Sequence, residues 1–64
     1  MEEYQVRVVE EKRILDSKLE KLDNFLLTPL AQSLPKVDVE LMVRQRNAMF
    51  DYSTLMGARI QRWS

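Results

Sequence analysis

This 64-residue chain has no Cys and no His, and its ten basic and ten acidic residues cancel. Disulfides are thereby excluded and a zinc site is disfavoured, so a chain too small to be secure alone is expected to self-associate, with any function lying between subunits. The neutral balance disfavours binding of DNA or RNA polymers, no apolar run is long enough to span a bilayer, and no signal-peptide pattern opens the sequence, so a soluble cytoplasmic protein without a membrane partner is expected.

Residues from about Glu2 to Leu27 read as one amphipathic helix. Val8, Leu15, Leu19, Leu22 and Leu26 are spaced seven, four, three and four apart, which is helical periodicity. Glu11 and Lys18 fall on the edge of this stripe, and Glu10, Lys12, Arg13, Asp16, Glu20, Lys21 and Asp23 occupy the other faces. Glu2 and Glu3 suit the positive end of the helix dipole, and Glu3 is placed to attract Arg7 one turn on.

Thr28-Pro29 is a helix-start signal, because Thr caps and Pro is tolerated at the first helical position. The expectation is a short helical turn over Pro29–Leu34 that packs Leu30 and Leu34 onto the hairpin and is ended by Pro35. A second long helix is predicted from about Asp38 to Trp63, with Asp38 as its N-cap.

The second helix carries apolar residues over a wide arc. Met42, Met49, Met56 and Trp63 form one row at seven-residue intervals, and Leu41, Ala48 and Leu55 form a neighbouring row. Tyr52 and Ile60 are expected to fill the space between them. An arc this wide implies more than one neighbour. Arg59 and Arg62 sit in the last turns, where positive charge is favoured. Gly57 costs about 1 kcal/mol against Ala inside a helix, which a close approach to another helix or to a ligand would explain, as would simple tolerance.

The fold class is therefore all-α: an antiparallel hairpin of two long helices with a short helical turn between, forming one domain over residues 1–64 that assembles into a helical homo-oligomer. Catalysis has little support, since there is no His, no Cys, no Gly-rich phosphate loop and no pair of carboxylates in an apolar setting. Neither a metal nor a cofactor is expected.

Four kinds of residue invite a binding reading. Tyr4 either extends the apolar stripe onto a partner or offers a flat platform for a base. Gln45, within the apolar arc, either fixes the register of an interface or touches a ligand. Arg44, Arg46 and Arg59 are either a solvated rim or, brought together by symmetry, an anion site. Lys18 and Lys21 have the same potential with looser geometry.

The run Tyr4-Gln5-Val6-Arg7-Val8-Val9, then Glu10-Glu11-Lys12, Leu15-Asp16, Lys18, Leu22 and Phe25, followed by Gln45, Met49, Tyr52, Leu55 and Arg59-Ile60, resembles a family of very small phage proteins. Related sequences occur in crAss-like phages, and the hairpin domain is shared with the anti-CBASS and anti-Thoeris nucleotide sponges. The resemblance covers nearly the whole chain, and the opening Tyr-Gln-x-Arg-Val-Val and the late Arg-Ile carry most of it.

That resemblance implies a helical homohexamer in the host bacterial cytoplasm. It implies immune evasion by sequestering cyclic di- or trinucleotides, or cyclic ADP-ribose isomers, without cleaving them. On this sequence it assigns base stacking to Tyr4, base-edge contact to Gln5 and phosphate contact to Lys18 or Lys21. It further assigns closure from a neighbouring subunit to Arg59, and the lining of an axial trinucleotide pocket to Arg44 or Arg46. The rival is a structural or adaptor hairpin with no small-molecule ligand. A small nucleic-acid binder is a third class, marked by steep salt dependence.

Overall fold

The computed structural model describes residues 1–63, leaving Ser64 outside the described residues. Three helices follow in order: α1 at Glu3–Leu26, α2 at Pro29–Gln32 and α3 at Lys36–Gln61. The two long helices lie antiparallel as a rod measuring 46 × 14 × 14 Å, with α2 packed at the turn. The all-α hairpin is as the periodicity predicts.

Local signals fix the ends. Glu2 caps α1, and its backbone N–H donates to Gln5 Oε1 at 2.7 Å, which spares a donor that α1 cannot satisfy internally. Thr28 caps α2 as expected: its Oγ1 accepts from the Ala31 N–H at 3.3 Å and donates to the Phe25 carbonyl at 2.6 Å. Pro29 occupies the first turn. The single turn of α2 ends at Gln32, two residues short of the expected Leu34.

The start of α3 differs from expectation. Pro35, not Asp38, is the N-cap, and its carbonyl accepts the N–H groups of Asp38 at 3.0 Å and Val39 at 3.2 Å. Asp38 is thus already inside the first turn, where its carboxylate suits the helix dipole without capping anything. Proline at the cap loses no bond, because its missing N–H is one that a helix start leaves unpaired. A proline read only as a terminator for the preceding turn hides this second use.

Packing follows the two stripes. Val8 is buried and Leu15, Leu19, Leu22 and Leu26 are half-buried, so the α1 stripe faces α3 as predicted. On α3 the methionine row takes the inward position: Met56 is buried, and Met42, Met49 and Trp63 are half-buried. The neighbouring row points outward, with Leu41 54% and Leu55 65% exposed. Tyr52 does not fill the space between the rows. It stands half exposed, and its hydroxyl donates to Glu11 Oε1.

Ser53 sits within the inward face of α3, one turn from both Met49 and Met56, and is only 6% exposed. Its Oγ donates to Asp16 Oδ1 and accepts from Lys12 Nζ at 3.1 Å, while Lys12 Nζ also reaches Asp16 Oδ2 at 2.7 Å. These three groups satisfy one another, as burial requires. The lysine ammonium and, after it, the serine hydroxyl hold the Asp16 carboxyl below the usual carboxylate range. Gly57 lies one turn further along α3. A Cβ at that position would stand 3.1 Å from Lys12 Cε, so what this glycine makes room for is the end of a lysine side chain from α1.

Val8, Ala31 and Met56 are the buried hydrophobic residues among those described, whereas Val6, Leu27, Leu30, Val37, Leu41 and Leu55 are all more than half exposed. One hairpin covers little of its own apolar surface, as two helices with wide apolar arcs must.

Candidate ligand-binding site

The open end of the hairpin, opposite the α1–α3 turn, brings together residues from both ends of the chain. Tyr4 lies in the first turn of α1 and Arg59 in the last turn of α3, with Trp63 just beyond it. The Tyr4 and Trp63 rings meet edge to face, with centroids 5.7 Å apart and planes at 82°. The Arg59 guanidinium carbon lies 5.9 Å from the centre of the same indole. Tyr4 is 54% exposed and Arg59 is exposed, so both present free surface. An aromatic face beside a guanidinium is the donor set that a base joined to a phosphate needs.

Gln5 stands next to this corner but is half-buried, and its Oε1 serves the α1 cap. Only its amide N–H groups remain for another acceptor.

Lys18 and Lys21 are exposed on α1 and form no ion pair among the described residues. At 1.5 Å per residue they lie about 21 and 26 Å along the helix from Tyr4. No compact ligand touches Tyr4 and either lysine of the same protomer, so their joint use requires a second copy.

The two mid-helix arginines of α3 part company. Arg44 is exposed and forms no ion pair among the described residues. Arg46 turns toward α1, where its Nε donates to Asp23 Oδ1 at 2.8 Å, its Nη2 to Asp23 Oδ2 at 3.5 Å, and its guanidinium covers the Phe50 ring at 5.0 Å. Asp23 raises the Arg46 pKa further. Arg46 thus ties the two helices, and of the pair only Arg44 presents an uncommitted guanidinium. Gln45, expected to be buried, is exposed, and its amide reaches only Met49 Sδ at 3.9 Å.

Open clefts also line the surface of the described residues. One, of about 400 Å³, runs between Asp16, Glu20, Asp23, Asn24, Arg46 and Phe50, and its carboxylates make it unsuited to an anion. Another, of about 380 Å³, lies at the turn between Leu26, Ala31, Leu34, Lys36 and Val39. Among the described residues no cluster of acidic side chains is placed to hold a metal ion, and no helix is long and apolar enough to cross a membrane.

Sequence reasoning placed Trp63 in the methionine row and missed its contact with Tyr4 and Arg59. For Arg59 the available signal was its four-residue spacing from Trp63, and for Tyr4 that two helices of nearly equal length, joined by a short turn, bring their free ends level. It also missed the Lys12–Asp16–Ser53 cluster, whose signal was a serine at a core position opposite a lysine and an aspartate one turn apart.

No curated protein and no solved structure matches the chain. A family model described as Sequestin matches residues 2–62, nearly the full length. The resemblance carried by Tyr4–Val9 and Arg59-Ile60 is thereby borne out: the chain belongs to the Sequestin family.

Proposed function

We propose that this chain is a non-enzymatic sponge of phage origin. It assembles as a homo-oligomer, a hexamer by family resemblance, and sequesters cyclic di- or trinucleotide second messengers without cleaving them. Cyclic ADP-ribose isomers are alternative ligands of the same chemistry. Family membership supports the sequestering role. The observation that carries the choice of ligand class is the convergence of Tyr4 and Arg59, from opposite ends of the chain, on one exposed corner.

The physical account is short. Tyr4 stacks on a base, worth about 1–3 kcal/mol. Arg59 meets a phosphate with its planar fork. A compact dianion needs more cations than one corner holds, and copies related by symmetry bring Lys18, Lys21 and Arg44 within reach. A symmetric ligand suits a symmetric interface. The outward apolar row of Leu41 and Leu55, with Val37 and Leu30, supplies the surface on which copies pack.

Calorimetric titration with cyclic di- and trinucleotides and cyclic ADP-ribose isomers, followed by heat release and chromatography, tests this. Tight binding with intact ligand recovered is the expected result. No heat from any of them would move the assignment to a structural or adaptor hairpin.

A further inference from the structure

The corner contains a third group that the ligand reading does not use. Trp63 is the only tryptophan in the chain. It is half-buried, and both candidate contact residues rest on it: Tyr4 through an edge-to-face contact at 5.7 Å, and Arg59 through its guanidinium at 5.9 Å. No ion pair anchors Arg59, and no hydrogen bond is formed by the Tyr4 side chain among the described residues. Among the described residues, the indole is thus a side chain that contacts both of them.

We infer that Trp63 is a positioning residue for nucleotide capture, holding the Tyr4 ring and the Arg59 guanidinium against one indole at the same corner. This rests on the sponge reading above.

The physics follows from what each contact restrains. An exposed tyrosine and an exposed arginine each sample several rotamers, and ordering them on binding subtracts from affinity. A perpendicular ring contact restrains the plane of Tyr4 while leaving ring surface free for stacking. A guanidinium over an indole face is held by charge–quadrupole attraction and keeps its N–H edge directed outward in the plane. One indole therefore preorganises a stacking surface and an anion donor together. A leucine in its place fills comparable space but offers neither a quadrupole nor a ring edge.

Two measurements on the full chain test this, with 3′,3′-cyclic GMP–AMP and cyclic tri-AMP as probes. In calorimetry, Trp63→Leu is expected to weaken binding about tenfold per site with the scattering mass unchanged, and Trp63→Phe to return to within about threefold of the parent chain. In fluorescence, the single indole reports directly: binding of either probe should change Trp63 emission in step with the calorimetric isotherm. Parent-level binding by Trp63→Leu would overturn the inference and leave the sponge reading intact. Should Trp63→Leu lose its mass or helicity, emission decides, and calorimetric binding with silent Trp63 emission would overturn the inference. Absence of binding to the parent chain by either probe and by the wider panel would overturn the sponge reading itself.

Discussion

Gly57→Ala tests whether the polar cluster inside the hairpin is rigid. In an open helix interior this change stabilises by about 1 kcal/mol, because glycine loses more backbone freedom on folding. Here the new Cβ would stand 3.1 Å from Lys12 Cε, tighter than ordinary contact, so the lysine must shift by a few tenths of an ångström. Its ammonium is held at 2.7 Å by Asp16 and at 3.1 Å by Ser53. Lengthening those bonds forfeits part of the roughly 0.5–1.5 kcal/mol that each contributes. The two effects are of the same size, so Gly57→Ala alone should change stability by less than about 0.5 kcal/mol, the gain of about 1 kcal/mol from helix propensity being offset.

Lys12→Ala removes the obstructing Cε. In that background the same glycine substitution should recover its full gain, giving a coupling of about 1 kcal/mol in the double-mutant cycle. Urea unfolding followed by circular dichroism, at one fixed protomer concentration, supplies all four stabilities. Equal gains near 1 kcal/mol in both backgrounds would refute the reasoning, since the lysine would then yield without cost.

Other predictions follow from the site and the surface. Tyr4→Ala should weaken nucleotide binding about 10- to 100-fold, in line with the loss of a stacked base, with the oligomer mass unchanged by light scattering; loss of mass instead would make Tyr4 structural. Leu55→Glu should lower the mass while leaving helicity intact at high concentration, because Leu55 is 65% exposed on the hairpin, and an unchanged mass would remove this row from the assembly surface. Met49→Glu should act differently and reduce helicity itself, since Met49 faces α1. Asp16 has a depressed folded pKa, so its contribution is present above the unfolded value near 4 and is lost as pH falls through the lower folded value. Asp16→Asn should flatten that acid limb of the unfolding profile. In a Tyr4→Phe background, Tyr52 is the remaining tyrosine, and its phenol should titrate above the ordinary value of 10.0, because its hydrogen bond to Glu11 favours the protonated form. Stability from this bond is present below pH 10.0 and disappears as pH rises through the folded value; ultraviolet titration at the ordinary value would show that the bond does not form in solution.

Much of the fold is legible in the residues, and the failures have physical causes. The α1 stripe is plain because its leucines keep helical spacing and its charges fall elsewhere. On α3 two apolar rows lie side by side, and periodicity alone does not say which faces α1. The methionines take the side that faces α1, and Leu41 and Leu55 are left outside. Ser53 falls at a core position by spacing, but its residue type alone does not name the Lys12 and Asp16 partners that satisfy it. For the site, the residue types were readable but their association was not. Lys18, Lys21 and Arg44 remain apart from Tyr4 on one protomer, and Arg46 is drawn to Asp23. Arg59 and Trp63, four residues apart, meet locally, but whether Tyr4 meets them depends on how many residues the turn consumes, a quantity set by Thr28, Pro29 and Pro35 acting together.

The placement of that corner has a kinetic side. In an antiparallel hairpin, contacts close to the turn join residues near in sequence and cost little loop entropy, whereas Tyr4 and Trp63 close a loop of nearly the whole chain. The rod therefore resembles a zipper whose last tooth is this aromatic pair. Amide exchange should be slowest toward the middle and the turn, and fastest at Glu3–Arg7 and Arg59–Gln61. A molecule gripping Tyr4 and Arg59 at once would act as a clasp on the end that opens first, and its capture would be written in the protection of amides it never touches.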